Sequence, residues 1–278
     1  MGSFMNVIRE NDYVVFRDSR GKEWLRQLVP GKSLHTHNGF IKFDDIIGKE
    51  YGIIISILND DLLVMRPKHE QYTRAMKHGT NIIYEADAIA MISSAGVGPG
   101  DTVLEIGTGS GGMTYFLAFY CTKNCTSGKV VSIDLRAEHS DIAHDNLERL
   151  QLAEKVDFRV GDIVTSTVLP EVDYFDGAFI DMPTPYNLLE AVQKAVKYGS
   201  SIMVFLPNWY QVEQTIAKAS ELDLTILNVF ETNRRPMEVK PEKHVMRPTF
   251  RALVYSGIII HLMKTKKIEL VQQDKETK

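Results

Sequence analysis

The stretch VLEIGTGSGGMT, Val103 to Thr114, has the residue types of a cofactor site. A short apolar run ends in Glu105. Gly107, Gly109 and Gly111 follow at alternate positions, and Gly112 is adjacent. Glycine lets a ligand approach the backbone more closely than a side chain allows. Gly107, Gly109 and Gly112 fit G-x-G-x-x-G between a strand-like run and a helix-like one, and Asp134 ends the next strand 22 residues after Gly112. On this spacing alone the cofactor is a nicotinamide dinucleotide or another nucleoside, because the glycine turn and the ribose-gripping acid are shared chemistry.

Three further acids narrow the choice. Glu105 stands two residues before the first glycine, where it suits a cationic amino acid moiety and repels a pyrophosphate. Asp162 in RVGDI follows another strand and suits an exocyclic adenine amine. Asp181 in FIDMPTPY ends a fourth, beside Pro183 and Pro185. Singly, each acid reads equally well as a cap or turn residue. Together, Glu105, Asp134, Asp162 and Asp181 close consecutive strands, and open α/β sheets bind ligands at that rim. Such a rim favours a sulfonium with a positive amino group over a diphosphate.

The elements that must hold these residues follow from the pattern. Residues 5–70 carry short β-rich runs (YVVF, WLRQLV, GFIKF, YGIIISIL) broken by DSRG, HNG and LNDD, which predicts a small meander or barrel. Residues 71–99 read as a linker and a helix, EADAIAMISSAG, ending at Gly96. From 100 to 264 strand-like runs (TVLEIG, KVVSID, VDFRVGD, DGAFID, SIMVFLP, LTILNVFE, FRALVYSGIIIHLM) alternate with helix-like ones. The first five are short and mostly apolar, which predicts burial on both faces and a parallel, doubly wound α/β sheet. Residues 265–278 form a polar tail.

Composition sets the outer bounds. With 278 residues, 44% hydrophobic and 24% charged, the chain is an ordinary globular protein of one large or two unequal domains. Its longest apolar run near the end, ALVYSGIIIHLM, has 12 residues and is too short for a membrane helix. Met1–Phe4 reads as an appended stretch ahead of Met5. No signal architecture follows, so the cytoplasm is expected. Cys121 and Cys125 lack the second pair that a zinc site needs, the eight histidines form no ligand set, and no metal is expected. The net charge of −4 argues against a non-specific nucleic-acid binder, yet cations gather in three segments: 22–42, 66–78 and 234–247.

The order E-x-G-x-G-x-G, then Asp134, Gly161-Asp162 and Asp181-x-Pro183, resembles a class I methyltransferase that uses S-adenosylmethionine. Upstream, MKHGTNIIYEADAIAMI resembles the segment G-T-Q-I-I-Y-P-K-D of tRNA (adenine-N1)-methyltransferases of the TrmI family. Asn81 stands for Gln, and Glu85-Ala86 for Pro-Lys, which suggests a divergent, archaeal-type branch. The C-terminal likeness is looser: Arg235-Pro236, Thr249 and Phe250 match, and Pro248 replaces the family's histidine.

The resemblance implies a Rossmann-like seven-stranded sheet with its last strand antiparallel, preceded by a small β-rich domain. It implies methylation of N1 of adenine in tRNA, at T-loop position 58 and also 57. S-adenosylmethionine would sit on Glu105, Gly107, Thr108, Gly109, Ser110, Gly111, Asp134, Asp162, Ile163 and Asp181. Asp181 would orient the base and stabilise charge growing at N1. Tyr84 would wall the base pocket, its competing reading being a core tyrosine. Arg26, Lys32, His35, His78, Arg234 and Arg235 would hold tRNA, and the chain would form a homotetramer. The rivals are a methyltransferase acting on a protein or small molecule, a non-catalytic tRNA-binding subunit, and a dehydrogenase.

Overall fold

The computed structural model describes residues 6–58, 60–123, 125–249 and 255–267. The chain forms two compact units, Met1–Met76 and Lys77–Lys278. This moves the expected boundary. Helix α1 (His69–Arg74) closes the first unit, whereas α2 (Glu85–Ala95) opens the second. Within 71–99, read as a linker and a helix, α2 is the helix, and the division between the units falls after Met76.

In the first unit, β1 (Tyr13–Arg17), β2 (Glu23–Gln27), β5 (Ile54–Ile57) and β6 (Asp60–Met65) form an antiparallel sheet in the order β2-β1-β6-β5. Strands β3 (Ser33–Thr36) and β4 (Gly39–Lys42) form a separate hairpin. Burial alternates along β6, with Leu62 and Val64 turned inward, as expected for a sheet with one face on a core. Phe16, Leu28, Leu34 and Phe43 complete that core. Two of these strands went unread in the sequence. SLHT (β3) is too polar to show as a strand, and β6 begins with two acids after a turn.

The second unit is built on seven strands: β7 (Thr102–Ile106), β8 (Lys129–Asp134), β9 (Val156–Val160), β10 (Phe175–Asp181), β11 (Val196–Leu206), β12 (Leu224–Phe230) and β15 (Ile258–Lys264). Their order is β12-β15-β11-β10-β7-β8-β9. All neighbours are parallel except β15, which is antiparallel to both β11 and β12. The expected sheet, with its last strand antiparallel, is what the chain forms. Four of the first five strands are apolar because both faces are covered. β9 is the exception: it lies at the sheet edge and only partly buries VDFRV. Helices α3 (Gly112–Thr122), α4 (Ala137–Glu148), α5 (Leu189–Ala195) and α6 (Trp209–Ser220) fill the crossovers, and α2 stops at Gly96, whose φ of 73° is a left-handed cap. A short hairpin, β13 (Met237–Lys240) with β14 (Val245–Pro248), was not expected from the sequence. Phe250 lies outside the described residues.

Chain order places the site. From β7 the sheet grows one way through β8 and β9, then returns to add β10 on the other side of β7. The carboxyl ends of β7 and β10 thus flank the reversal point, where ligand crevices form in such sheets. Among the described residues, no helix is long and apolar enough to cross a membrane.

Candidate active site

A cavity of about 910 Å³ opens at that reversal point, within the second unit. Its wall includes Gly107, Thr108, Gly109 and Ser110 after β7, Asp134 at the end of β8, Asp162 and Ile163 after β9, and Asp181 at the end of β10. Eight of the residues singled out in the sequence, from four separate loops, therefore meet around one space. That volume is in the range of small-molecule sites.

Much of what approaches the glycine loop is the protein's own chain. A Cβ on Gly107, whose φ is 96°, would lie 2.2 Å from the carbonyl oxygen of Asp181. On Gly109 it would lie 2.7 Å from Thr80 Oγ1, on Gly112 2.4 Å from Ile82, and on Gly111 3.0 Å from Ala143 of α4. Gly111 faces α4 and is not part of the cavity wall. The glycines thus let residues 80–82 and β10 close around the loop. Ser110 fastens this packing. Its Oγ accepts the N–H groups of Gly79 and Thr80, each at 2.9 Å, while Asn146 donates to the carbonyls of Lys77 and Ser110.

Glu105 departs from expectation. It is 1% exposed and lies behind the wall. Its Oε2 accepts hydrogen bonds from Ser132 (2.5 Å) and Thr114 (2.6 Å), and Ser132 also bonds Thr108 at 2.6 Å. Burial pushes its carboxyl up to about 8, against those two hydrogen bonds, which favours the protonated form at neutral pH. Oε1 is buried without a partner. Glu105 therefore shapes the loop from beneath rather than presenting a charge to the cavity.

Asp134 and Asp162 are already engaged. Asp134 Oδ2 accepts from the Gly109 N–H and lies 3.1 Å from His139 Nδ1, while Oδ1 accepts from the Arg136 N–H. Asp162 takes Val164 N–H at 2.8 Å and Thr165 Oγ1 at 2.9 Å, and these bonds hold its carboxyl below the usual range. Both acids serve as turn residues and also line the cavity, so the two readings weighed for them coexist.

Asp181 differs from all three. No described residue hydrogen-bonds or ion-pairs with its carboxylate. Burial alone pushes it up to about 6, so at neutral pH it stands ionised and unpaired beside the cavity. The turn after it is tied to α6, because Gln211 Nε2 donates to the Pro183 carbonyl at 2.8 Å.

The remaining candidates lie elsewhere. Tyr84 precedes α2 and is 57% exposed, so it is not a core tyrosine; residues 80–83 line the cavity and its ring does not. His78, Arg234 and Arg235 are exposed, and Arg234 lies 3.7 Å from Glu85. In the first unit Arg26, Lys32 and His35 are exposed, with His35 stacked on Phe40. Sequence reasoning missed Thr80, His139, Asn187 and Gln211 in the wall. Only His139, five residues after Asp134, left a local signal. A possible metal group, His144, Asp145 and Glu148, is fully exposed on α4 and away from the wall.

The donor set fits S-adenosylmethionine. A glycine-lined wall, a carboxylate at the end of β8 and an apolar residue beside Asp162 suit an aminoacyl group, a ribose and an adenine in turn. The carboxylates of Asp134 and Asp181, both on the wall, are the groups that a cationic, ribose-bearing ligand would favour.

Comparison with known proteins agrees with this geometry. The profile of the tRNA methyltransferase complex GCD14 subunit matches residues 62–277, and that of the TrmI-like N-terminal region matches 7–55. The chain is 29% identical to the tRNA (adenine(58)-N(1))-methyltransferase TrmI of Thermus thermophilus over 255 residues, covering 91% of this chain and 97% of the relative. It is 28% identical over 271 residues to the tRNA (adenine(57)-N(1)/adenine(58)-N(1))-methyltransferase TrmI of Methanocaldococcus jannaschii, covering 89% and 93%. Bacterial and archaeal relatives are thus matched at nearly equal identity, which gives an archaeal-type branch no preference. Among solved structures, a SAM-dependent O-methyltransferase from Thermotoga maritima superposes with a TM-score of 0.86 at 29% identity, over 97% of this chain and 98% of that one. The tRNA (m1A58) methyltransferase TrmI of Aquifex aeolicus gives 0.80 at 27%, over 94% and 100%. With its glycine loop and strand-end acids intact, the chain belongs to the GCD14/TrmI family of tRNA methyltransferases.

Proposed function

We propose that this protein transfers a methyl group from S-adenosylmethionine to N1 of an adenine in tRNA. The carrying observation is the unpaired Asp181 carboxylate at the cavity edge. When bound, the cofactor supplies an electrophilic methyl group on a sulfonium. N1 of adenine already offers a lone pair, so the protein needs no strong base. Its tasks are to position the base and to face positive charge as it develops. Asp181 accepts a hydrogen bond from the exocyclic amine and does both. The loop from Gly107 to Ser110, with Asp134, Asp162 and Ile163, holds the cofactor, and Glu105 keeps the loop in shape from below. Tyr84 borders the entering base from outside the cavity wall.

The names of the relatives support adenine 58 as the target, with adenine 57 as a second. Exposed cations at Arg26, Lys32, His35, His78, Arg234 and Arg235 are proposed to hold the phosphate backbone, which positions RNA without reading its sequence. Two free thiols, one of them buried, support a reducing compartment such as the cytoplasm. We also assign a homotetramer. Edge strand β12 leaves Ile226 and Leu227 exposed, and the β13–β14 hairpin does the same for Met237, Val239 and Met246. Light scattering should give the mass of four chains; a monomer at micromolar concentration would refute it.

The test of function is to incubate the protein with labelled S-adenosylmethionine and a tRNA transcript, then map modified nucleosides. 1-Methyladenosine at 58 is the expected product. The O-methyltransferase neighbour makes a second acceptor class worth including. Transfer to a small hydroxylated acceptor, with none to tRNA, would overturn the RNA reading and leave the cofactor site intact.

A further inference from the structure

The start of α6 carries two large, mostly exposed rings. Trp209 is 69% exposed and Tyr210 68%. Neither ring has a hydrogen bond, ring contact or cation partner among the described residues. A single exposed apolar residue needs no explanation, but two adjacent aromatics in a segment that borders a cavity do. Their flanking residues, Pro207 and Gln211, both line the cavity.

The backbone beneath the rings is firmly held. Tyr255 OH donates to the Pro207 carbonyl at 2.7 Å. Asn208 caps the helix by accepting the Gln211 N–H at 3.1 Å, and its amide donates to Gln211 Oε1 at 2.8 Å. Gln211 in turn holds the Pro183 carbonyl, two residues after Asp181. The backbone that carries the rings is thus tied to the turn after Asp181, while the rings themselves stay open to solvent. Rigid support under uncovered aromatic surface is the arrangement of a stacking platform.

We propose that Trp209 and Tyr210 stack an unpaired nucleobase of the RNA, the neighbour of the target adenine. This rests on the tRNA methyltransferase reading above. An adenine inside a stacked, paired strand cannot present N1 to Asp181 and must leave the stack. Its departure strips one face of the adjacent base. A flat side chain beside the cavity replaces that lost partner, and any base suffices because every base has a π face. The pair therefore holds the strand open beside the site and contributes to binding of RNA, not of cofactor.

The experiment begins with wild-type protein and a tRNA transcript; absence of methyl transfer at this stage would defeat the functional reading itself. Given transfer, Trp209→Ala and Tyr210→Ala should each raise the half-saturating tRNA concentration about tenfold, the size of a lost base–aromatic stack. Cofactor affinity and melting temperature should stay at wild-type values, and Trp209→Phe and Tyr210→Phe should recover most of the loss. The chain has two tryptophans, Trp24 and Trp209. In a Trp24→Phe background, tRNA should quench the Trp209 emission at the concentration that half-saturates transfer. Unchanged half-saturation in both alanine variants overturns the proposal. So does rescue by leucine as complete as that by phenylalanine, or an absence of quenching at saturating tRNA. A smaller assembly mass for the alanine variants would mark the rings as an interface between copies and overturn it as well.

Discussion

The two sides of the cavity are built on opposite principles. On the β7–β8–β9 side, the polar groups of the wall are largely bonded to the protein itself. Asp134 holds the Gly109 and Arg136 amides, Asp162 holds its own turn, and Ser110 holds residues 79 and 80. On the β10 side, no described residue bonds the Asp181 carboxylate, and the rings after Pro207 stand mostly exposed. The first side is a mould set before any ligand arrives, so little ordering cost remains for binding. The second side leaves unspent polar and aromatic surface for a substrate that completes it. That asymmetry matches a cofactor of constant shape on one side and an RNA base on the other.

The largest expected effect comes from breaking the join between the sides. Gly107→Ala would place a Cβ 2.2 Å from the Asp181 carbonyl in a left-handed backbone conformation. Combined strain and clash should cost about 4 kcal/mol or more, since backbone outliers and core overpacking reach that scale. Calorimetry should find no cofactor binding at millimolar concentration, with a lower melting temperature. Normal binding would show that the mould tolerates a shift.

A smaller effect is expected within the mould. Asp134→Ala should weaken cofactor binding by a decade or more, because a hydrogen bond to a charged group is worth about 1.5–3 kcal/mol. It also frees the Gly109 N–H and His139, so the glycine loop should become more mobile by hydrogen exchange. Binding unchanged by calorimetry would move the ribose away from β8.

The smallest effect is on the hidden carboxyl. Glu105 has a folded-state pKa raised from 4.5 to about 8 by burial. Between those values the folded chain keeps a proton that the unfolded chain releases, so wild-type stability falls as pH rises through this window. Glu105→Gln cannot ionise. Its melting temperature should therefore fall less than that of the wild type between pH 5 and pH 8.5, and the reverse order would contradict a protonated Glu105.

The frame of the site was legible because strand-end acids and glycines obey a local grammar. TVLEIG, KVVSID and DGAFID announce buried parallel strands, and each ends in or near its acid. What local grammar misses is depth and company. Glu105 looks like the other three acids in sequence, yet one turn of the pleat puts it behind the wall among hydroxyls that come from β8 and α3. Thr80 and Gln211 join the wall from distant segments, and no spacing rule connects them to the strand-end acids. Polar strands were lost for a related reason. β3, β6, β13 and β14 lack the apolar pattern of a strand buried on both faces.

The central claim is that an ionised, unpaired Asp181 drives methyl transfer while the opposite wall holds the cofactor. Single-turnover transfer to tRNA at saturating cofactor, followed from pH 5 to pH 8 with wild type and Asp181→Asn, tests it most directly. The carboxylate is the active form, so the wild-type rate should climb with pH and then level off, at or below the value of about 6 that burial gives it, because a bound sulfonium favours the ionised form. Asp181→Asn should run about 10²–10³ slower across the range, the usual cost of one pre-arranged electrostatic group, and lose the climb. Its tRNA and cofactor affinities should stay within a fewfold of wild type. A near-wild-type rate for Asp181→Asn, or an unaltered pH profile, would remove Asp181 from the chemistry and end this account of the site.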